Sequence, residues 1–390
     1  MRTIGLVTTS RADYGIYRSV LEAIHSSDDL ELRLFVSGTH LSREFGFGVR
    51  EIERDGFAIA ERIEMLLSSD SPEGIAKSMG LGTIGFAQAY ARSAPDILVV
   101  LGDRFEMHAA ALAALPFNIP VAHIHGGEST EGAIDECLRH SLTKLSHLHF
   151  TATDEYARRV IQMGEEPWRV TVSGAPAIDS LRSFSPVPVA ELESFCGMSL
   201  PTRGFLLVTF HPATLEHKAA GAQVEEVFAA ILESGKPALI TMPNGDTGGR
   251  EIRARIAEFV SKGRPARSVE SLGSKRYFSI MARAAAMVGN SSSGIIEAAS
   301  FDLPVVNVGS RQDGRVRGQN VIDVACERTG IGRAVARAIS SEFRESLRGK
   351  GNPYGDGRAS ERIASRLSTQ DLGKGLLRKR FHASGSATNG

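Results

Sequence analysis

Residues 97–101 read Ile-Leu-Val-Val-Leu, five apolar residues with no polar break, closed by Gly102 and Asp103. A strand with one wet face alternates apolar and polar side chains. A continuous apolar run therefore belongs to a strand covered on both faces, as in a parallel sheet wrapped by helices. Short runs of the same character recur at Thr3–Thr8, Glu31–Val36, Pro120–His125, His147–Thr151 and Val170–Ser173, with amphipathic helical patterns between most of them. The chain reads as an α/β protein whose parallel strands are joined through helices.

A break over 183–203, where SPVPV and a Pro-Thr-Arg-Gly turn interrupt the pattern, precedes a second set of runs: GFLLVTF, ALITMPN, AAAMVGN and PVVNVG. Helices are expected at about Val224–Leu232, at Arg250–Val260 and from Ser292. At 390 residues the chain also exceeds one ordinary core. Two domains are predicted, 1–182 and 204–351, with 183–203 as a linker, a final helix in 352–371 and a flexible tail over 372–390 whose LRKRF cluster is solvated.

Composition narrows the function. Lys plus Arg number 45, as do Asp plus Glu, so no net field gathers nucleic acid or an anionic membrane. No run approaches the length of about 18 apolar residues that a membrane span requires. The opening strand TIGLVTT is too short for a signal peptide, and Cys137, Cys196 and Cys326 are isolated, without disulfide or zinc spacing, so a cytoplasmic protein is expected. Neither half carries G-x-G-x-x-G after its first strand, which argues against a dehydrogenase.

Chemistry-bearing residues gather where strands end, the place at which parallel sheets bind ligands. TTSRADYG, Thr8–Gly15, puts small residues and Arg11 at a strand-to-helix turn suited to an anion; the plainer reading is that Ser10 caps the helix. Past Leu101 come Asp103, Arg104 and Glu106, and past Ile124 come His125, Glu128 and Asp135. Burial at a strand end can raise a carboxyl pKa and suit it to proton transfer, although Asp103 and Asp135 also fit helix caps. His123 and His125 alternate in the expected strand and so should face the same way. No structural metal is expected, since no His-Glu-x-x-His is present.

In the second half, FHPAT ends a strand with His211, and MPNGDTGG carries Asn244 and Asp246. The segment from Gly289 to Arg315 opens a helix with Ser291, Ser292, Ser293 and Gly294, then brings Glu297 and Arg311. Amides and hydroxyls at such a turn suit a diphosphate, and a carboxylate one turn inside can accept the hydroxyls of a ribose.

The blocks GDRFE, HIHGGE, IDE-x-x-RHS-x-TK, NSSSGIIE and GSRQDGR, in this order, resemble the hydrolysing UDP-N-acetylglucosamine 2-epimerases, including the UDP-N,N'-diacetylbacillosamine branch, over about Arg2–Asp371. The resemblance implies the GT-B architecture: two Rossmann-like domains facing a cleft, with the final helix crossing back to the first. It implies that Arg11, His211, Asn244, Ser291, Ser292, Gly294, Glu297 and Arg311 hold the nucleotide diphosphate, with His211 also near the chemistry, and that Tyr277 lies against the base. Arg104, Arg139 and His140 would bind substrate, and Asp103 and Asp135 match catalytic carboxylates. Where several members carry a Glu two residues past the strand His, this chain has His125; either His125 or Glu128 takes over that carboxylate's task.

The implied reaction releases UDP and a free 2-epimer from UDP-N-acetylglucosamine or its 2,4-diacetamido analogue. It runs through a glycal, without a cofactor, in a homo-oligomer (dimer or tetramer) that serves sialic- or legionaminic-acid-type biosynthesis. Two other readings stay open: a GT-B glycosyltransferase with an acceptor site, and a non-catalytic nucleotide-sugar sensor.

Overall fold

The computed structural model describes residues 1–67, 71–129, 134–212, 220–243 and 249–383. They fall into two compact units, the first made of 1–129, 134–180 and 355–383, the second of residues within 181–354.

The first unit holds seven parallel strands: β1 (Arg2–Thr8), β2 (Leu30–Ser37), β3 (Ile59–Ile63), β4 (Ile97–Leu101), β5 (Val121–Ile124), β6 (Leu148–Thr151) and β7 (Val170–Val172). Their order is β3-β2-β1-β4-β5-β6-β7. All five residues of β4 are buried between β1 and β5, with Ile4 opposite Ile97 and Leu98 opposite Val121. The order reverses between β1 and β4, and a reversal of this kind opens a crevice at the carboxyl ends of the two strands. The helix Arg11–His25 covers the sheet with Tyr14, Tyr17, Val20, Leu21 and Ile24, spaced as one helical face. On it packs the late helix Ala359–Thr369, which buries Ile363 and Leu367 in the same core. The carboxylate of Asp179 caps that helix, accepting from the amides of Ala359 (2.9 Å) and Ser360 (2.6 Å).

The second unit repeats the plan with β8 (Leu206–Thr209), β9 (Ala238–Thr241), β10 (Ala266–Val269), β11 (Ala286–Gly289), β12 (Val305–Val308) and β13 (Val321–Val324), in the order β10-β9-β8-β11-β12-β13. Its reversal lies between β8 and β11. There Gly289 adopts φ 134°, and a Cβ would run into the Thr209 carbonyl oxygen, so only glycine lets the two strand ends approach.

Four local expectations are corrected. His125 does not continue β5: it follows the strand with φ 65°, so it does not share a strand face with His123. Residues 183–203 do not form a free linker, because the helix Val189–Cys196 and Leu200 bury Leu192, Cys196 and Leu200 with Phe205 and Phe278 in a core of the second unit. The helix from Ser292 is only one turn and a half, Ser292–Ile296. The expected flexible tail is docked as far as it is described: Lys374–Leu377 is helical, Leu376 is buried, and the fully buried Arg169 donates to the carbonyls of Gly375, Leu376 and Arg378.

Candidate active site

In the first unit the turns after β1, β4 and β5 carry a connected set of charges. Gly102, at φ 73°, turns the chain out of β4 and donates its amide to Ile124 (2.9 Å). Asp103 then receives a hydrogen bond and ion pair from Arg139, whose side chain is buried. Arg104 makes a bidentate pair with the fully buried Glu106, at 2.6 and 3.1 Å. This forked geometry fixes direction as well as charge.

The helix Ile134–Leu145 presents Asp135, Glu136, Arg139 and His140 from its first turns. Burial pushes the Asp135 carboxyl up, with the Arg104 charge acting against the rise and the Glu106 charge adding to it. Glu136 accepts from Ser129 (3.0 Å) and pairs with His140 (3.1 Å) and Arg139 (3.5 Å). His125 and Glu128 are both buried and joined through Nδ1 and Oε1. His123 lies inside the core, its Nε2 on the Gly102 carbonyl (2.7 Å), and burial lowers its pKa to about 3. It acts as a support under the turn.

Sequence reading passed over Asp13 and His40. Asp13 is buried and gathers the ends of β1 and the following turn, accepting from Thr8 Oγ1, the Thr9 amide and hydroxyl (2.7 Å) and Ser10 Oγ (3.1 Å). Burial raises its pKa, opposed by the bonds from Thr8 and Thr9. His40 Nε2 meets Thr8 Oγ1 at 3.0 Å, and burial lowers this imidazole to about 4. The local signal for Asp13 was its place three residues after the Ser10 cap; none existed for His40, which arrives from the turn after β2. Arg11 is exposed, donating to the Gly46 carbonyl (2.8 Å) near Glu51 (3.8 Å).

In the second unit, Asn290 follows Gly289 and ties both strand ends: its Oδ1 accepts from the His211 amide (2.7 Å) and its Nδ2 donates to the His211 carbonyl (2.8 Å). Arg311 and Gln312 donate to the Asn290 carbonyl at 3.0 and 2.8 Å, which folds their loop over the turn. Ser291 caps the short helix, accepting from the Ser293 amide (3.3 Å). Ser292 is partly buried. Burial pushes the Tyr277 hydroxyl up to about 12, while bonds with Thr209, Ser293 and Ser291 oppose the rise, so the phenol belongs to the serine turn itself.

Glu297 closes the short helix, and burial lifts its carboxyl to about 7, against a Ser293 bond and the Arg315 charge. Its Oε2 is buried without a hydrogen-bond partner among the described atoms, a costly arrangement that a donor from a ligand would relieve. At Gly294 a Cβ would press on Val305 Cγ1 at 2.9 Å, so the absence of a side chain lets the short helix sit on β12. Asn244 lies outside the described residues. Among those described, no group of three His, Cys, Asp or Glu side chains is placed to hold a metal, and no helix is long and apolar enough to cross a membrane.

The two sets differ in chemistry. The first offers a set of carboxyls, with Asp13 and Asp135 raised by burial, beside fixed guanidinium groups; the second offers hydroxyls, an arginine loop and an unsatisfied carboxylate oxygen.

Comparison with known proteins places this geometry in context. The sequence profile described as UDP-N-acetylglucosamine 2-epimerase matches residues 22–368. A Legionella pneumophila protein named UDP-N,N'-diacetylbacillosamine 2-epimerase (hydrolyzing) is 39% identical, over 97% of this chain and 99% of its own. A Campylobacter jejuni GDP/UDP-N,N'-diacetylbacillosamine 2-epimerase (hydrolyzing) is 37% identical, over 88% and 89%. The crystal structure of a Neisseria meningitidis UDP-GlcNAc 2-epimerase bound to UDP-GlcNAc superposes with a TM-score of 0.79 at 18% identity, covering 94% of this chain and 99% of that one, a likeness of fold.

Proposed function

This chain belongs to the UDP-N-acetylglucosamine 2-epimerase family, and we propose that it hydrolyses a UDP-linked 2-acetamido sugar with inversion at C2, releasing UDP and the free 2-epimer. The observation that carries this reading is the set of carboxyls beyond β4 and β5: Asp103 paired with Arg139, Glu106 paired with Arg104, and Asp135 raised by burial. A sensor would not need them. The names of the two relatives that match along most of the chain support the 2,4-diacetamido sugar as the preferred substrate.

The chemistry follows from C2. No carbonyl acidifies its proton, so departure of the diphosphate from C1 must accompany proton removal. A base takes H2, the C–H pair forms the C1–C2 double bond, and UDP leaves with the C1–O pair, giving a 2-acetamidoglycal. Water then adds, its hydroxyl to C1 and a proton to the opposite face of C2. Asp103, aligned by Arg139, suits the base, and Asp135, its carboxyl raised, suits the proton donor. Glu128 stands in for the carboxylate that His125 replaces, with His125 orienting it. On this reading the serine turn and Arg311 take the diphosphate, and Glu297 takes the ribose hydroxyls.

A nucleotide-sugar substrate supports a cytoplasmic place in sialic- or legionaminic-acid-type biosynthesis. A homo-oligomer is supported by Leu81, Ile84 and Leu112, exposed on two helices that pack together. The test is incubation in deuterated water with UDP-N-acetylglucosamine and with the UDP-linked 2,4-diacetamido sugar, without an acceptor. Free 2-epimer carrying deuterium at C2, with stoichiometric UDP, is expected. Binding without turnover would select the sensor, and turnover only with an added acceptor the glycosyltransferase.

A further inference from the structure

The docked segment that follows the late helix reaches the helix Ile134–Leu145, which carries Asp135, Glu136 and Arg139. Lys379 Nζ donates to the carbonyls of Lys144 (2.8 Å) and Ser146 (2.6 Å) and reaches that of Thr143 at 3.5 Å. The Thr143 and Lys144 carbonyls lie in the last turn of the helix Ile134–Leu145 and that of Ser146 just past it, where a cation meets the negative end of the helix dipole; the Thr143 carbonyl also accepts from the Ser146 amide at 3.2 Å.

The ammonium is held there from the other side. Lys379 pairs with Glu165 at 2.8 Å, and the same fully buried carboxylate takes Lys144 (2.5 Å) and His149 (3.1 Å). Lys144 also donates to the Met163 carbonyl (3.1 Å). The segment's backbone is fixed at both flanks. Upstream, Arg169 bonds the Gly375, Leu376 and Arg378 carbonyls at 3.2, 2.8 and 3.1 Å; downstream, His382 donates to Gly164 (2.9 Å).

From the clamped end, contacts run back to the acid cluster. Thr143 donates to the Arg139 carbonyl (3.2 Å) and lies 3.4 Å from His123, and Arg139 directs Asp103. The helix has 12 residues, about 18 Å, and behaves as a short rod, so displacing one end displaces Asp135 at the other.

We propose that residues 374–383 are a positioning element of the reaction, with Lys379 seating the helix Ile134–Leu145 so that Asp135 and Arg139 keep their working geometry. Lys379 touches no reacting atom; it acts through the helix. This rests on the assignment of Asp103 and Asp135 to proton transfer.

The test compares Lys379→Met and Lys379→Arg in the full chain. Turnover of the UDP-linked 2,4-diacetamido sugar and of UDP-N-acetylglucosamine, UDP affinity by calorimetry and amide exchange of the unliganded protein are measured. Lys379→Met should lower kcat about tenfold or more, leave KM and UDP affinity within about twofold, and speed exchange within residues 134–145 while sparing β8 to β13. Lys379→Arg should restore most of the rate. Unchanged exchange in the helix, or faster exchange with an undiminished kcat, overturns the proposal. So does a loss of UDP affinity equal to the loss of rate, or a chain that fails to fold with methionine yet is not rescued by arginine, since either marks general destabilisation. If instead Asp103→Asn turns over normally, the proton-transfer assignment fails, and the exchange result shows separately whether the clamp exists.

Discussion

Asp103 and Arg139 stand 36 positions apart in the chain and form one ion pair, in which the guanidinium is 4% exposed and the carboxylate 24%. The carboxylate follows β4 and the guanidinium comes from the helix Ile134–Leu145, so the direction of Asp103 is set by a helix to which it does not belong. The cation does more than balance charge. It turns a side chain at the mouth of a sheet crevice into an aligned group.

Arg139→Met should therefore reduce kcat about 100-fold while leaving UDP affinity nearly unchanged, because misplacing a reacting group by about 1 Å costs that much. Steady-state kinetics with calorimetry on the same preparations measure both. A variant with normal kcat would remove Arg139 from the alignment of Asp103.

His125 and Glu128 are joined by a hydrogen bond and should behave as one unit. Glu128→Gln is expected to abolish turnover, His125→Asn to reduce it, and the double variant to be no slower than Glu128→Gln alone. Additive losses would show two independent tasks, and a dead His125→Asn beside an active Glu128→Gln would make the histidine the base.

With Glu297 lifted to about 7 by burial, the proposed ribose site should couple binding to pH. In the proposed complex the ribose hydroxyls donate to the ionised carboxylate, which favours deprotonation, so affinity should rise with pH through about 7. Below that, each pH unit should weaken binding by up to about tenfold. UDP-N-acetylglucosamine titrated into Asp103→Asn protein between pH 5.5 and 8.5 measures this on an unreacted ligand. Glu297→Gln should flatten the profile; a wild-type profile without slope would take the carboxylate out of the binding site.

Acid should destabilise the first unit from a higher pH than carboxylate titration alone would set. Burial lowers His40 and His147 to about 4 and His123 to about 3, against an ordinary value of 6.5. Above 6.5 both folded and unfolded chains hold these rings neutral, and the native state has its full stability. As pH falls the unfolded chain takes protons that the native chain refuses, so stability declines through the range from 6.5 towards 4 to 3, by up to about 1.4 kcal/mol per pH unit per ring. Urea midpoints at successive pH values report the slope, which His123→Gln should make shallower.

Much of this architecture was legible in the sequence because the strands nearest each switch point are covered on both faces. β4, β5, β8, β11 and β12 are buried throughout and read as apolar runs. The strands that escaped were β3, β10 and β13, and all three lie at sheet edges, with one neighbour each and exposed positions within them. An edge strand needs less apolar surface, so its pattern fades into that of a loop. The residues at strand ends were legible for a related reason: a Gly-Asp-Arg or a serine run directly after a buried strand has no packing purpose there.

By itself, then, the sequence determined that two parallel sheets form and which chemical groups stand at their carboxyl ends, since both follow from hydrophobic burial and residue type along a continuous stretch. Only the tertiary structure decided which of those groups meet. That Asp103 faces Arg139 and that His40 meets Thr8 depend on how distant turns converge. The docking of the tail was least legible of all. Lys379 and Arg169 are held largely by backbone carbonyls, and every residue carries a carbonyl, so no side-chain pattern marks where such a partner will be.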